Sequence, residues 1–296
     1  MSNNVSLDLI KTLRERTGAG MMECKKALVE ANGDIETAIE AMRINGQAVA
    51  AKKAGRTAAE GLIIIKTKPD GRTAAICEIN CETDFTAGNE NFRNFAEKIA
   101  EIALVHETNI VETLLDSIYE EQTTVEEARK NLVAKTGENV QIRRLAILNS
   151  DDKISSYIHN GRIGAIVKTQ NADEALGKDL AMHIVASNPI VINPSEVPEN
   201  LIAKEEEIFS EQAKSSGKPA NIIEKMITGR MDKFRNEISL VGQAFVKDPA
   251  VTIGQLLEKS HAKVISFIRF EVGEGIEKSS ENFAEEVMKQ VKATQA

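Results

Sequence analysis

The sequence GRTAAI at residues 71–76 is partly repeated as GRIGAI at residues 161–166. In both places a turn glycine precedes an apolar stretch, which is typical of a strand that leaves a tight turn. A helical pattern follows each stretch, with the pair Phe95-Ala96 in the first copy and Leu180-Ala181 in the second. The repeat therefore predicts two related α/β units and an α+β fold class.

The two copies differ in the length of chain between the strand and the helix. The turn glycine and the helical pair are separated by 24 residues in the first copy and by 19 in the second. The sequence Thr83-Asp84-Phe85 lies in the five extra residues, where insertions often carry function. An aromatic side chain on a polar loop tip is a candidate binding hot spot. The alternative is structural, with the Asp as a cap and the Phe in the core.

Size and composition narrow the classes of function. A chain of 296 residues is longer than a single hydrophobic core usually serves, so we expect two or more domains. The net charge is -8, and aromatic residues make up only 4% of the chain, without tryptophan. Nucleic acid binding depends on clustered basic residues and, for single strands, on exposed rings. We therefore expect no direct nucleic acid ligand.

Three further features concern the cellular compartment. The three cysteines are too few and too irregularly spaced for a disulfide framework. The first residues lack the basic and apolar regions of a signal peptide. The longest aliphatic run, Leu62 to Ile65, is far shorter than the roughly 20 residues of a membrane-spanning helix. These features predict a cytoplasmic protein that has no membrane partner.

The N-terminal segment predicts three short helices. Ser6 and Asp34 are expected to be N-caps, and Asn32-Gly33 a left-handed exit from the second helix. The second helix is expected to turn four residues inward, namely Met21, Cys24, Leu28 and Ala31. The connector that follows, Gln47 to Glu60, is either a solvated linker helix or a basic strip for an acidic partner surface.

The first α/β unit is predicted to begin with a hairpin of two strands, Leu62 to Lys68 and Arg72 to Asn80. Thr124 and Glu127 predict the capping box of a later helix that ends near Lys135. Between the hairpin and this box, one helix carries apolar residues at helical spacing, namely Phe92, Phe95, Ala96, Ile99 and Ala103.

The second strand-rich stretch is predicted to begin with Val140 to Leu148 and to continue around Tyr157 and from Arg162 to Thr169. Further along, an apolar stripe predicts one helix of an antiparallel helical hairpin, with Ile223, Ile227, Met231 and Phe234 facing its partner. Strand-like sequence resumes at Lys263 to Phe270, so the hairpin interrupts the second unit. An acidic tail helix is expected near Glu281 to Val291.

No arrangement of residues indicates catalysis. Gly217-Lys218-Pro219 lacks the first glycine and the final hydroxyl residue of a phosphate-binding loop, and predicts a helix-breaking turn. Cys77 and Cys81 predict buried thiols on one strand face. We expect no catalytic residue, no metal site and no cofactor. The histidines show no paired metal spacing and are expected to be surface or core residues, namely His106, His159, His183 and His261.

Four stretches of sequence together carry a family resemblance. They are LRERTGAGMMECKKAL at residues 13–28, CETDF at 81–85, SGKP at 216–219 and FIRFEVGEG at 267–275. In this order they resemble the N-terminal signature, the exchange motif and the later landmarks of the elongation factor Ts family. Because the match covers nearly the whole chain, it is more specific than any single motif.

The resemblance implies a division of the chain that agrees with the pattern of helices and strands. A ubiquitin-associated-like three-helix domain would cover residues 1–55, and two related α/β core subdomains would follow. A helical coiled-coil arm for dimerisation would interrupt the second one, and a C-terminal helical module would end the chain. The remaining implied bounds are 56–144 for the core N-subdomain, 145–190 and 236–275 for the core C-subdomain, 191–235 for the arm and 276–296 for the C-terminal module.

The resemblance also implies a function, that of a guanine nucleotide exchange factor for the GTPase elongation factor Tu. Such a factor is not an enzyme and needs no cofactor. The motif that displaces Mg²⁺ from the GTPase would comprise Thr83, Asp84, Phe85 and Thr86, with Thr86 in place of the usual Val. Further contacts would be made by Met21, Met22, Lys25, His159 and Val246, next to which Lys247 replaces an often apolar residue. Self-association through the arm is implied as well.

Two other classes of function stay open from the residues alone. An adaptor of the ubiquitin-associated-like kind would use the first three helices and leave the core as a scaffold. An enzyme would require a pocket with converging titratable groups, for which the sequence provides no pattern.

Overall fold

The computed structural model describes residues 5–215 and 219–277. It contains both helices and strands, and the expected α+β class is confirmed. The tail helix expected near residues 281–291 lies outside the described residues, as do residues 217 and 218 of the expected turn. The same holds for the C-terminal module expected over 276–296, apart from its first two residues.

Three helices open the chain: α1 (Leu7–Thr17), α2 (Met21–Glu30) and α3 (Ile35–Lys53). The two expected N-caps are confirmed, because the Ser6 side chain accepts from the Leu9 amide and the Asp34 side chain from the Thr37 amide. The first part of the expected connector is the last two turns of α3, which is longer than the sequence suggests. The three helices enclose their own small core, which includes Ile10, Leu13, Cys24, Leu28 and Ala38.

The first α/β unit is a three-stranded antiparallel sheet with helices on one face. The expected hairpin and the capping box of its last helix are confirmed. Its elements in chain order are β1 (Glu60–Thr67), β2 (Thr73–Cys81), α4 (Asp84–Gly88), α5 (Glu90–His106), α6 (Val111–Leu115), β3 (Ile118–Glu120), β4 (Thr123–Thr124), α7 (Val125–Thr136) and β5 (Val140–Asn149).

The strand β5 corrects one expectation. The sequence suggested that this segment opens the second strand-rich stretch, but β5 pairs with β2 from Val140 to Asn149 and completes the first sheet. The order in that sheet is β1-β2-β5. An apolar strand pattern predicts the strand and its buried face, but it does not identify the strand with which it pairs. The boundary implied at residues 144 and 145 therefore falls inside β5.

The second unit repeats this arrangement with a long insertion. Its sheet has the order β10-β7-β6, and the expected helical hairpin lies in the chain between its helix and its third strand. A small β-hairpin and a short helix that the sequence did not reveal follow the helical hairpin. The elements are β6 (Ile154–His159), β7 (Ile163–Gln170), α8 (Glu174–Ser187), α9 (Glu199–Lys214), α10 (Ala220–Glu237), β8 (Ala244–Phe245), β9 (Asp248–Thr252), α11 (Ile253–Lys259) and β10 (Lys263–Glu271).

The two sheets pack face to face, and α5 and α8 cover their outer faces. The apolar layer between the sheets comprises Ile63, Ala74, Ile76, Ile154, Ile166, Phe270 and Val272. Reciprocal hydrogen bonds join each turn to the other unit. The amide of Ile63 donates to the carbonyl of Gly161, and the amide of Ile154 to that of Gly71, both at 2.7 Å. Both turn glycines have positive φ, 74° and 71°, which glycine adopts without strain.

A β-bulge occurs at the same place in both sheets. The register of β5 against β2 shifts between Glu78 and Ile79, where Arg143 is the extra residue. The register of β10 against β7 shifts opposite Lys168 and Thr169, where Ile265 is extra. Bulges are specific features that bend a strand and redirect a side chain. Their matching positions are further evidence that the two units are copies of one structural repeat.

Candidate functional site

The short helix α4 presents two side chains to solvent. Phe85 is 87% exposed, more than any other large apolar side chain in the part of the chain that the structure describes. Asp84 is exposed too, whereas Thr86 and Ala87 are buried. The structural alternative that places Phe85 in the core is therefore wrong. Thr86 was expected at the contact surface, but its side chain points into the protein.

Two caps confine α4 to a single turn. The Thr83 hydroxyl accepts a hydrogen bond from the Thr86 amide at 3.3 Å and so caps the start of the helix. The Asn89 side chain accepts from the Asn91 amide at 2.9 Å and starts α5. Its own amide donates to the carbonyl of Thr86 at 3.0 Å. The five residues of α4 are thus a defined helical turn and not the polar loop tip that the sequence suggested.

A carboxylate from another loop holds the start of α4. The amide and the hydroxyl of Thr83 both donate to Glu138, at 3.0 Å and 2.7 Å. In the reverse direction, Glu82 accepts from the amide of Asn139 at 2.6 Å. Residues 82–83 and 138–139 therefore form a reciprocal clamp between the β2–α4 and α7–β5 loops. Sequence reasoning did not identify Glu138, because 55 residues separate it from Thr83.

The same clamp reaches the connector after α3. The side-chain amide of Asn139 donates to the carbonyls of Ala54 and Arg56, at 3.3 Å and 2.8 Å. The guanidinium of Arg56 lies 3.3 Å from the Glu82 carboxylate. The segment that joins the N-terminal helices to the core is therefore bonded to the base of α4.

The cysteines near α4 are structural. Cys77 and Cys81 are free and buried, as expected. Burial raises the pKa of both thiols to about 12, so neither is a thiolate nucleophile near neutral pH. Among residues 5–215 and 219–277, no group of three His, Cys, Asp or Glu side chains is arranged to hold a metal ion.

A second exposed surface lies on α2. Met22 is 76% exposed and Met21 43%, and Lys25 is exposed as well. The expectation that Met21 faces inward is wrong. It lies in the first turn of α2, beyond the stripe from Cys24 to Leu28 that packs on the other two helices.

A short series of contacts connects the start of α2 to α4. Gly18 ends α1 with φ of 66°, and a Cβ atom there would lie 2.5 Å from the Lys135 ammonium. Lys135 in turn donates to the side chain of Asn91 at 2.8 Å, and Asn91 lies in the first turn of α5, directly after α4. The two exposed surfaces therefore lie near the same end of α5 and α7.

His159 is the last residue of β6, beside the turn to β7, at the same end of the first sheet as α4. It is exposed, and its ring nitrogens lie 3.3 Å from the Tyr157 hydroxyl and 3.3 Å from the side-chain amide of Asn160. Arg162 in this turn forms an ion pair of 2.5 Å with Glu60. Glu60 is paired with Cys81 in the β1–β2 ladder, and Cys81 precedes Thr83 by two residues.

A buried histidine positions Val246, which is 44% exposed between β8 and β9. The Val246 amide donates to Nδ1 of His183 at 3.2 Å, and Nε2 of His183 lies 2.9 Å from Oε1 of Gln243. Burial lowers the pKa of His183. These bonds fit a neutral ring that accepts at Nδ1 and donates from Nε2. Lys247 is paired with Asp179 at 2.6 Å.

Comparison with known proteins decides the family. A sequence model described as Elongation factor TS matches residues 82–274. The chain belongs to the elongation factor Ts family. Elongation factor Ts of Methylococcus capsulatus is 54% identical over 292 residues, which cover 98% of this chain and 100% of that protein. Elongation factor Ts of Pseudoalteromonas atlantica is also 54% identical, over 289 residues and 98% of either chain.

Membership of the elongation factor Ts family confirms the resemblance found in the sequence. The matched segment includes α4, its clamp, His159 and Val246. The first three helices lie before that segment, but the whole-length relatives extend over them. In the described part of the chain, no helix is both long and apolar enough to span a bilayer.

Proposed function

We propose that this protein is a cytoplasmic guanine nucleotide exchange factor for elongation factor Tu and acts without chemistry of its own. The observation that carries the proposal is Phe85, an aromatic side chain 87% exposed on a helical turn whose base is fixed by hydrogen bonds. The family name supports the context of translation elongation. The exposed α2 surface and the β6–β7 turn near α4 support a broad docking area.

The exposure of Phe85 provides free energy for binding. Burying a phenylalanine side chain in a partner contributes about 1.5–3 kcal/mol. Since each 1.4 kcal/mol, roughly, is a tenfold change in an equilibrium constant, Phe85 alone accounts for about ten- to hundredfold in affinity. Because α4 is already ordered, little of this energy is spent on fixing its conformation.

Exchange follows from differential binding. A factor that binds the empty GTPase more tightly than the GDP-bound form must weaken GDP binding by the same factor. In the GTPase, Mg²⁺ bridges the nucleotide phosphates and neutralises their charge. In our proposal Phe85 acts as an apolar wedge near that ion and Asp84 competes for its hydrogen-bonding partners. Loss of Mg²⁺ then releases GDP.

The remaining contacts distribute the binding energy over several places. In our proposal Met21, Met22 and Lys25 on α2 contact the nucleotide-binding domain of the GTPase. His159 and Val246 form further contacts from the second unit. Several weak contacts are needed together, because a large change in GDP affinity requires several kcal/mol of differential binding.

We also propose the division of the chain implied by the family: a ubiquitin-associated-like domain over 1–55, a core N-subdomain, a core C-subdomain and an arm over 191–235 that self-associates. Ile208 and Ile222 on the two arm helices stay 41% and 43% exposed after the helices pair, which leaves apolar surface for a second copy. Sedimentation of a variant that lacks residues 200–234 tests the arm. An unchanged mass of the complex with the GTPase would refute self-association.

The test of the function is release of a fluorescent GDP analogue from elongation factor Tu in a stopped-flow instrument. The protein should accelerate release strongly, and excess Mg²⁺ should reduce the effect. Phe85→Ala and Asp84→Ala should each slow release about tenfold or more. Val105→Ala is the control, because Val105 is 76% exposed at the far end of α5. No acceleration by the folded protein would refute exchange and favour the adaptor.

A further inference from the structure

Glu138 is the group that fixes the direction of α4. It follows Gly137, whose φ of 72° ends α7, and its half-buried carboxylate turns toward the β2–α4 loop. One oxygen accepts from the Thr83 amide at 3.0 Å and the other from the Thr83 hydroxyl at 2.7 Å. Two bonds to one residue determine both its position and its rotamer, since charged acceptors form the stronger hydrogen bonds.

The hydroxyl of Thr83 can cap α4 only in one orientation. It has one hydrogen and two lone pairs. Because its hydrogen is directed to Glu138, a lone pair is free for the Thr86 amide at 3.3 Å. The first turn of α4 also depends on the Thr83 carbonyl, which accepts from the Ala87 amide at 3.2 Å. The carboxylate of Glu138 thus sets the cap from which Asp84 and Phe85 project.

We infer that Glu138 is a positioning residue for the exchange surface, acting through Thr83 and not by touching the GTPase. The inference rests on the proposed function. It states that Glu138 affects the step in which the GTPase, once bound, releases GDP. Without the carboxylate, α4 would sample several directions, and Phe85 would reach the GTPase in a smaller fraction of encounters. The substitution should therefore lower the maximal rate of GDP release. It should change less the concentration of this protein at which the rate is half-maximal.

The test compares Glu138→Ala and Glu138→Gln in the full chain by the same GDP-release assay. We expect the Ala variant to lower the maximal rate about tenfold, because a half-buried hydroxyl and amide lose a charged acceptor. The Gln variant, which retains one acceptor oxygen, should recover part of that loss. The control is Glu196→Ala, since Glu196 accepts from the amides of Ile192 and Asn193 at 3.1 Å and 3.0 Å in a distant loop.

Combination with Asp84→Ala and Phe85→Ala separates positioning from general destabilisation. If Glu138 acts through α4, the change to Ala should lower the rate less than about twofold in a background that carries both Asp84→Ala and Phe85→Ala, because coupled residues are not additive. A full tenfold loss in that background would overturn the inference. So would a rate for Glu138→Ala equal to that of the Glu196→Ala control.

Amide hydrogen exchange tests the clamp without the GTPase. In Glu138→Ala, the amides of Thr86 and Ala87 should exchange about tenfold faster or more, while β2 and α5 keep their protection. Unchanged protection of α4 would overturn the inference even if the protein is active. If the wild type did not release GDP, the proposed function would fail, and faster exchange of α4 would still support Glu138 as its anchor.

Discussion

The two α/β units share a frame and differ at the junction that follows the central strand. In the first, the central strand β2 is followed by α4 before α5 begins. In the second, β7 ends at Gln170 and α8 begins at Glu174, with Asn171 in the left-handed region at φ of 60°. The space beside that junction is an open groove of about 670 Å³ lined by Lys153, Asp173 and Lys178, among others.

The difference shows where new surface was added to a repeated frame. The sheets keep their order, their bulges and their turn glycines, so the core of each unit is determined by the repeat. A single turn added between strand and helix gives the first unit an exposed Phe and Asp. The second unit has its long addition between its helix and third strand, as the arm formed by α9 and α10. Each unit therefore presents a different surface on the same support.

The largest effect is expected at Glu78, where the first unit meets the segment that follows β10. Glu78 is fully buried and accepts from Arg143 at 2.9 Å, from Arg144 at 2.6 Å and from the amide of Gly273 at 2.7 Å. The equivalent residue of the second unit is Lys168, which donates to the Asn149 carbonyl at 3.0 Å. Glu78→Ala should lower the free energy of unfolding by about 3 kcal/mol, measured in urea, because it removes the shared acceptor of two guanidinium groups and a backbone amide. Lys168→Ala should cost much less, and equal losses would contradict this asymmetry.

Removal of α4 would make the first unit resemble the second. Deletion of residues 84–88 should lower the rate of GDP release about a hundredfold, since it removes both exposed side chains at once. Thermal unfolding must show that the chain still folds. The double change Asp84→Ala and Phe85→Ala keeps the turn and should lose nearly as much activity. If that variant stayed active, the surface of α4 would not be the exchange surface.

A smaller effect is expected at Gly164 of β7, which faces the first sheet. A Cβ atom on Gly164 would lie 2.7 Å from Cγ2 of Ile63, whereas the first unit has Ala74, fully buried, at the equivalent position. Gly164→Ala should destabilise the protein by about 1–3 kcal/mol through overpacking. Calorimetry measures the shift in melting temperature. In an Ile63→Ala background, which lacks Cγ2, Gly164→Ala should cost less, and a neutral Gly164→Ala in the wild type would refute the close contact.

The smallest effect concerns the pH dependence of stability that a buried histidine of the second unit produces. The pKa of His183 is below its ordinary value of 6.5 because of burial, so the unfolded chain binds a proton more readily than the folded one. The stability that His183 contributes is complete above pH 6.5 and falls as the pH decreases from there. Urea unfolding between pH 8 and pH 5.5 should show this slope, about one proton at most. His183→Gln should flatten it, and an equal slope in the variant would refute the assignment.

The sequence predicted those features that depend on neighbouring residues. The caps at Ser6, Asp34 and Thr124 follow from local patterns. So do the β1–β2 hairpin, the α9–α10 helical hairpin and the insertion that contains Phe85. It did not predict the pairing of β5, because apolar alternation is the same for any partner strand. It also missed Glu138, since its bond to Thr83 joins two loops that are distant in the chain. The strands β8 and β9 are too short to give a clear period.

The face-to-face packing of the two sheets has a consequence for the synthesis of the chain. The first sheet is complete once Asn149 has emerged from the ribosome, but the second needs Glu271, the last residue of β10. At about 5–20 residues per second, the interval lasts several seconds. During this time the face of the first sheet that carries Ile63 and Ile76 lacks the part of its covering layer that β10 supplies, which includes Phe270. The nascent chain therefore exposes an apolar sheet surface to chaperones and to neighbouring chains before the second unit can close over it.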